Sequence, residues 1–258
     1  IAIKAPFNLK DRHPNGSIPN APLFGYRVSW NPTHDSLCVL DMKRKCGVWL
    51  TSSTPPPWDY AAPWRRLLQW IAASDKILLA HAGCVIDNGK GVLLVGPGGS
   101  GKSSAVAMAY QQGFDTAGED YVQLAKKAGR LHVAPLYRTL KLRTHSPVFA
   151  DRGHTFGADF KLASTPEVVS VFLNPDRVCE GDVRSVIVMS AQGPLTLKSI
   201  GASEVERHLL HSTLLQSDHD QSWALSFVRS FIATIPGFVF GHGPSSGLVK
   251  AIHTAMGD

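Results

Sequence analysis

Short apolar runs separated by turn residues occupy the first fifth of the chain. They cover residues 23–29, 36–41 and 47–51, are rich in β-branched and aromatic side chains, and predict a small antiparallel meander. Residues 1–20 are rich in Pro, Asn and Gly and predict an irregular surface arm. The prolines of residues 54–57 predict a stiff connector that ends this β-rich unit.

The periodicity then becomes helical. Apolar side chains recur at helical spacing at Trp64, Leu67, Leu68 and Ile71. Pro63 lies near the first turn, where proline is tolerated. We predict a helix whose aromatic side chains belong to the core and which docks the meander onto the rest of the chain.

The remaining pattern alternates between strand and helix, which is typical of an α/β fold. Residues 77–86 predict one strand, followed by a hairpin turn at Asn88-Gly89. Further strands are predicted at 92–95, 121–124, 131–136, 168–173, 183–189, 195–200 and 238–240, and helices at 103–112, 203–215, 222–234 and 246–256. Residues 151–165 predict a mobile loop that we expect to act as a lid. Three units are therefore expected: a β-rich subdomain (1–57), a docking helix with its connector (58–76) and a nucleotide-binding domain (77–258).

A glycine-rich stretch, Gly96-Pro-Gly-Gly-Ser-Gly-Lys-Ser-Ser104, lies between a predicted strand and a predicted helix. It matches the phosphate-binding pattern G-x-x-x-x-G-K-[ST] without a mismatch. Glycines let backbone amides turn toward a phosphate, and the N-terminus of the following helix favours an anion. We expect the phosphates of a nucleotide to bind Gly96, Gly98, Gly99, Ser100, Gly101, Lys102, Ser103 and Ser104.

Transfer of a phosphoryl group from ATP also needs a carboxylate that holds Mg²⁺ opposite Ser103. The most apolar strand downstream, residues 186–189, ends in Ser190 instead of an acid. Glu119 and Asp120 are the remaining candidates. Adjacent carboxylates repel unless a cation lies beside them, which suits a metal ligand next to a general base, although solvated turns also contain such pairs.

Together these motifs resemble the HPr kinase/phosphorylase family, whose fold is shared more distantly with phosphoenolpyruvate carboxykinase. The resemblance covers about residues 77–124 and rests on His81-Ala-Gly-Cys-Val-Ile86, the phosphate loop, Gly113-Phe114 and Gly118-Glu-Asp-Tyr-Val122. It implies a P-loop kinase core of that type, here with a small N-terminal β-rich subdomain. In the family a strand histidine precedes the loop, and paired acids follow the loop serine at the offset seen here.

The chain is most similar to short family members, some of which are encoded with lasso peptide biosynthesis genes and phosphorylate a precursor peptide on serine. It has Glu119 where the family usually has Asp, and it lacks a copy of the later motif region that supports the phosphorylase reaction. The resemblance therefore implies a kinase more than a phosphorylase.

We accordingly expect a kinase that uses ATP and Mg²⁺ to phosphorylate a serine of a peptide or protein. Ser103 and Asp120 would hold the metal and Glu119 would accept the hydroxyl proton, with the reverse assignment of the two acids left open. By resemblance, His81 lies near the γ-phosphate or the acids; the alternative is a hydrogen-bonded core histidine. Charge neutralisation, or simply a solvated basic face, is expected of Arg138, Lys141 and Arg143.

The amino-acid composition limits the classes of protein to which this chain can belong. Of 258 residues, 44% are hydrophobic and 18% charged, so the chain is globular, and the scattered charges behind its net +6 do not indicate nucleic-acid binding. No apolar run approaches the roughly 18 residues of a membrane helix, and no secretory leader opens the sequence. The four cysteines form no C-x-x-C pair and are expected to be free thiols in the cytoplasm, without zinc.

Two other functions stay open: a kinase for a small-molecule hydroxyl, such as an amino acid or sugar, and a regulatory module that binds a nucleotide without transferring phosphate. A homo-oligomer is also left open.

Overall fold

The computed structural model describes residues 18–23, 25–31, 35–52, 62–144, 146, 148, 161–164, 168–192, 194–214, 221–241 and 245–257. The strands are β1 (Ile18–Leu23), β2 (Tyr26–Asn31), β3 (Ser36–Asp41), β4 (Cys46–Thr51), β5 (Leu78–Ala80), β6 (Gly83–Asp87), β7 (Lys90–Val95), β8 (Asp115–Gly118), β9 (Val122–Lys127), β10 (Arg130–Pro135), β11 (Thr139–Arg143), β12 (Lys161–Ser164), β13 (Val168–Phe172), β14 (Gly181–Ser190), β15 (Lys198–Ile200) and β16 (Gly237–Gly241). The helices are α1 (Arg65–Ser74), α2 (Lys102–Gln111), α3 (Ala202–Leu214), α4 (Gln221–Ile232) and α5 (Ser245–Met256), with a short 3-10 helix at Pro175–Arg177. Among the described residues, no helix is long and apolar enough to cross a membrane.

The predicted meander is a four-stranded antiparallel sheet in the order β1-β2-β3-β4. The prediction of a single strand at 23–29 was wrong, because Gly25, with φ +88°, turns the chain between β1 and β2. The irregular arm predicted for residues 1–20 was wrong from Ile18 onward, where β1 begins. The rest of that arm lies outside the described residues.

Helix α1 joins this sheet to the rest of the molecule. Leu67 and Trp70 are buried against Leu40 of β3, and the helix also contacts β5. These contacts agree with the docking role predicted for this helix, which stays a prediction. Trp64 was wrongly placed in its apolar face: it precedes the helix with φ +53° and is 60% exposed. The proline connector at 54–57 lies outside the described residues.

The larger sheet has nine strands, seven of them in the order β5-β9-β10-β14-β7-β6-β8, with β16 beside β14 and β15 beside β16. Strands β7, β14 and β16 run parallel at its centre. Side chains of β7 and β14 alternate between two buried clusters: one also contains α3 and α4, and the other contains α2 and α5. Burial on both faces explains the continuous apolar runs of these strands and confirms an α/β fold.

The single strand predicted at 77–86 was wrong. The Ala82 N–H donates to the Ala80 carbonyl (3.0 Å), and this tight turn separates β5 from β6. Strand β5 pairs with β9, whereas β6 pairs with β7 and β8. His81 therefore lies in the break between two strands and not on a strand.

Three strands of the remaining chain, β8, β11 and β12, were not predicted as strands. Strand β12 pairs with β13 and occupies residues assigned to the predicted mobile loop, so that prediction was wrong at Lys161–Ser164. Residues 151–160 of the proposed lid, and Thr165, lie outside the described residues. The other strands and helices of this part lie within a few residues of their predicted bounds.

Candidate functional site

The glycine-rich loop connects β7 to α2, as the motif predicts. Gly96 has φ +144°, and a Cβ atom there would lie 2.5 Å from the Met189 carbonyl oxygen, so no larger residue fits. Gly101, with φ +95°, precedes α2, whose first turn has no side-chain cap and no acidic residue. The N-terminal amides of this helix are therefore not used by a capping side chain, which is the condition for anion binding at a helix N-terminus.

Lys102 is buried in this loop. Its ammonium donates to the carbonyl oxygens of Gly96 (2.8 Å) and Pro97 (3.2 Å). Burial lowers the pKa of Lys102, although the charges of Asp120 and Glu119 oppose that shift. A bound phosphate would offer the ammonium charged oxygen acceptors in place of two neutral carbonyls, and such hydrogen bonds are stronger.

The other loop residues differ in what they face. Gly98 and Gly99 are exposed at the tip of the loop. Ser100 is buried, and its hydroxyl has no hydrogen-bond partner among the described residues. The Ser104 hydroxyl lies 3.1 Å from that of Ser146, which follows β11 in the sequence. The Ser104 side chain therefore points away from the glycine-rich loop.

The sheet topology brings the acidic pair and His81 to the same edge as this loop. Strand β6 runs antiparallel to β7, with Gly83 opposite Leu94, so β6 begins where β7 ends. Strand β8 runs antiparallel to β6, with Gly118 opposite Cys84, so β8 ends at that edge too. His81 precedes β6, and the acids follow β8. Strand β14, parallel to β7, ends at this edge in Ser190 and supplies no carboxylate.

Asp120 is held between the imidazole of His81 and the ammonium of Lys141. Its Oδ1 lies 3.1 Å from His81 Nε2, and its Oδ2 lies 2.9 Å from Lys141 Nζ. Burial by itself would raise the pKa of Asp120, but the hydrogen bond from His81 and the charge of Lys141 outweigh it and lower the pKa. Asp120 is therefore a carboxylate at neutral pH, with both oxygens engaged.

Glu119 is more deeply buried. Its Oε1 accepts a hydrogen bond from the Lys141 backbone N–H (2.9 Å), whereas Oε2 has no hydrogen-bond partner within the described part of the chain. Burial and the charge of Asp120 raise the pKa of Glu119 to about 7, although Lys141 and the nearby Ser103 hydroxyl favour the charged form. The anion is therefore less favoured here than in water, and a further cation would favour it.

Of the three cations predicted around the site, the structure brings Lys141 to the acids. Burial would lower the pKa of Lys141, but the charges of Asp120 and Glu119 raise it, so its ammonium stays protonated. Arg138 is exposed, with its guanidinium 5.3 Å from the centre of the Phe172 ring, and Arg143 is exposed at the end of β11.

Helix α3 contributes contacts that the sequence analysis did not predict. The Ser212 hydroxyl donates to the His81 carbonyl, and the Thr213 hydroxyl accepts from the His81 N–H, both at 3.3 Å. Tyr121, also missed, packs its ring 5.5 Å from the His81 ring. Ser212 and Thr213 are two adjacent polar residues near the end of this amphipathic helix, and this was the available signal.

The residues present fit a magnesium ion that arrives with a nucleotide. Mg²⁺ usually takes one or two protein carboxylates together with phosphate oxygens. Ser103 offers a hydroxyl and Glu119 a buried carboxylate oxygen that lacks a partner. Among the described residues, no group of three or more His, Cys, Asp and Glu side chains could hold a metal ion, so phosphate oxygens would have to complete the site.

No protein-family model and no curated protein matches this sequence. One solved structure to which the chain is similar is that of the Hpr(Ser) kinase/phosphatase from Coxiella burnetii. The two are 13% identical, the match covers 69% of this chain and 97% of that one, and the TM-score is 0.35. With so low a TM-score, a functional proposal has to rest on the geometry of this chain's own residues.

Proposed function

We propose that this protein is a kinase that transfers the γ-phosphoryl group of ATP to a hydroxyl group, and that the acceptor is a serine of a peptide or protein. One observation carries the proposal: a buried pair of carboxylates, Glu119 and Asp120, lies at the same sheet edge as the phosphate-binding loop. The pair is surrounded by the ammonium groups of Lys102 and Lys141, the imidazole of His81 and the hydroxyl of Ser103.

Positioning and charge neutralisation supply most of the catalysis in phosphoryl transfer. The amides of residues 98–102 and the Lys102 ammonium would bind the β- and γ-phosphates, as the free N-terminus of α2 allows. The same ammonium would offset the negative charge that develops on the leaving phosphate. The bond from the γ-phosphorus to the bridging oxygen breaks, and ADP leaves.

We propose that Ser103 and Glu119 would hold Mg²⁺, which would neutralise negative charge on the phosphates. Two observations support this role: Oε2 of Glu119 has no hydrogen-bond partner among the described residues, and Ser103 lies nearby. A divalent cation would favour the charged form of Glu119, whose pKa burial raises to about 7. This is the reverse of the assignment that the sequence analysis preferred. It leaves the acceptor to Asp120, whose oxygens can each accept a further hydrogen bond besides those from His81 and Lys141.

Asp120 would orient the acceptor hydroxyl and receive its proton. Its side chain is 23% exposed, so a hydroxyl from solvent can reach it more easily than it can reach Glu119. The low pKa makes Asp120 a weak base. A weak base is sufficient, because the transition state is loose and the attacking oxygen needs orientation more than early deprotonation. His81 and Lys141 would hold the carboxylate in place.

The direct test is transfer of label from γ-labelled ATP and Mg²⁺ to serine-containing peptides. Lys102→Ala should lower the transfer rate by about 10³-fold or more, because it removes the charge nearest the β- and γ-phosphates. Lys126→Ala, which removes an exposed lysine of β9, is the matched control and should retain the wild-type rate. A folded Lys102→Ala protein with near-native transfer would overturn the assignment of the phosphate loop.

The choice of acceptor rests on the resemblance to short precursor-peptide kinases and is tested separately. Peptides with one serine, free serine and simple sugars are supplied in parallel. Labelling of peptides alone supports a peptide kinase. Labelling of the free amino acid or sugars alone would replace it with a small-molecule kinase, and ATP binding without any transfer would favour a regulatory module.

A further inference from the structure

Arg65 is a residue of the docking helix whose side chain reaches toward the acidic pair. Its guanidinium donates to the Tyr121 hydroxyl and lies over the Tyr121 ring, 5.0 Å from the ring centre. Tyr121 follows Asp120 directly in the sequence and is almost completely buried. Arg65, which lies outside the predicted nucleotide-binding domain, thus fixes the orientation of the Tyr121 ring, which lies inside that domain.

The Tyr121 ring is in turn a neighbour of the catalytic pair. Its centre lies 5.5 Å from that of the His81 imidazole, and His81 Nε2 lies 3.1 Å from Asp120 Oδ1. A continuous series of contacts therefore runs from Arg65 through Tyr121 and His81 to Asp120.

His81 needs this packing because its ring has few polar contacts. Asp120 can only accept a hydrogen bond, so Nε2 carries the hydrogen. Nδ1 is buried and has no hydrogen-bond partner among the described residues. The contacts from Ser212 and Thr213 fix the backbone of His81 but not the rotation of its ring. The ring orientation thus depends on the Asp120 bond and on the face covered by Tyr121.

We propose that Arg65 is a positioning residue for the His81–Asp120 pair, acting through Tyr121, and that helix α1 is thereby part of the active site. This inference rests on the kinase function proposed above. Its rival is that α1 only docks the N-terminal sheet. The neighbouring Arg66 illustrates such docking, because its guanidinium donates to the Ser29 hydroxyl on β2.

Arg65→Met tests the proposal, with Arg66→Met as the matched control on the same helix. Arg65→Met should lower kcat about 10- to 100-fold, the usual effect of losing a partner that orients a catalytic group, while KM for ATP changes less than about twofold. Tyr121→Phe keeps the ring against His81 and should cost less. Arg65→Lys keeps a cation beside the ring and should recover part of the loss. Arg66→Met should retain the wild-type kcat.

A second readout does not depend on activity. In protein with ¹⁵N-labelled histidine, the Nε2–H signal of His81 is assigned by its disappearance in His81→Gln. The signal should shift, or be lost through faster exchange with water, in Arg65→Met but not in Arg66→Met. If the wild type transfers phosphate to no acceptor, the kinase proposal fails while this signal still decides the role of Arg65.

The proposal is overturned if folded Arg65→Met keeps the wild-type kcat and the wild-type His81 signal. It is also overturned if Arg66→Met lowers kcat and alters the signal as much as Arg65→Met does, because the effect would then belong to docking of the sheet.

Discussion

Two clusters of titratable side chains contain similar residue types and differ in burial. The inner cluster consists of His81, Glu119, Asp120 and Lys141. The outer cluster lies on β9, β10 and the start of β14 and consists of Lys127, Arg130, His132, Glu180 and Asp182. Each places a histidine and at least one other basic side chain against two carboxylates. The inner acids lie beside the phosphate loop, whereas Glu180 is 59% exposed.

The pKa of Glu119 and the pKa values of the two outer acids shift in opposite directions. Burial raises the pKa of Glu119 to about 7. In the outer cluster, hydrogen bonds with His132 lower the pKa of both Glu180 and Asp182, and solvent screens the charges. The comparison shows that residue types alone do not make a reactive site. We propose that the inner cluster is reactive because desolvation raises the pKa of one of its carboxylates beside the glycine-rich loop.

The largest expected difference between the clusters is catalytic. Asp120→Asn should lower kcat about 10²- to 10⁴-fold, because it removes the group that we propose orients and deprotonates the acceptor. Asp182→Asn makes the same chemical change in the outer cluster and should leave kcat unchanged. Steady-state transfer rates of both variants check this. Full activity in folded Asp120→Asn would mean that the acceptor is oriented by another group.

The pH dependence of stability should separate Glu119 from Glu180. Because the pKa of Glu119 is raised to about 7 from an unfolded value of 4.5, its neutral form stabilises the fold below pH 4.5, and this contribution is lost as pH rises through about 7. Relative to Glu119→Gln, the wild type should lose up to roughly 3 kcal/mol of unfolding free energy between pH 5 and pH 8.

Urea unfolding at several pH values measures this loss, with Glu180→Gln as the control. The pKa of Glu180 is lowered, so its contribution is present above its unfolded value and is lost only as pH falls below it. The difference in unfolding free energy between the wild type and Glu180→Gln should therefore stay constant from pH 5 to pH 8. A constant difference between the wild type and Glu119→Gln would contradict the desolvation of Glu119.

A smaller loss of kcat is expected when the lysine of the inner cluster is replaced. Lys141→Met should lower kcat about 10- to 100-fold, since it removes the ammonium that pairs with Asp120 while keeping the backbone N–H that binds Glu119. Lys127→Met removes the exposed lysine that pairs with Glu180 and should retain the wild-type kcat. Equal rates for the two variants would show that Lys141 neither positions the acids nor neutralises charge.

The smallest effect is expected in the outer cluster itself. His132→Gln should change the free energy of unfolding by less than about 1 kcal/mol, and the change should shrink as salt is added, because its partner Glu180 is exposed to solvent. Denaturant titrations at low and high ionic strength measure it. A large, salt-independent loss would mean that this cluster is as desolvated as the inner one.

Local sequence patterns predicted the parts of the site whose conformation is determined by neighbouring residues. The strand, loop and helix around Lys102 could be predicted because glycine spacing and apolar periodicity act over neighbouring residues. The meeting of His81 with Asp120 was expected by family resemblance. Its geometric cause, the break between β5 and β6, was missed because an apolar run does not reveal where a chain changes partners.

Contacts between residues that are far apart in the sequence could not be predicted. Tyr121 and Arg65 are 56 residues apart, and nothing in either local pattern indicates that they meet. Strand β8, Asp-Thr-Ala-Gly, is short and partly polar, so its pairing with β6 is visible only in the folded sheet. Trp64 was misplaced because helical spacing cannot tell a residue that precedes a helix from one within its first turn.

The central claim is that the inner cluster transfers phosphate to a serine hydroxyl. Intact-mass spectrometry tests it most directly, on serine-containing peptides, including those encoded beside this gene, after incubation with the protein, Mg²⁺ and ATP. The account predicts the gain of one phosphoryl group, absent with a Ser→Ala peptide and with Lys102→Ala, and retained with Lys126→Ala. Bound ATP with no mass gain on any acceptor, peptide or small molecule, would contradict it.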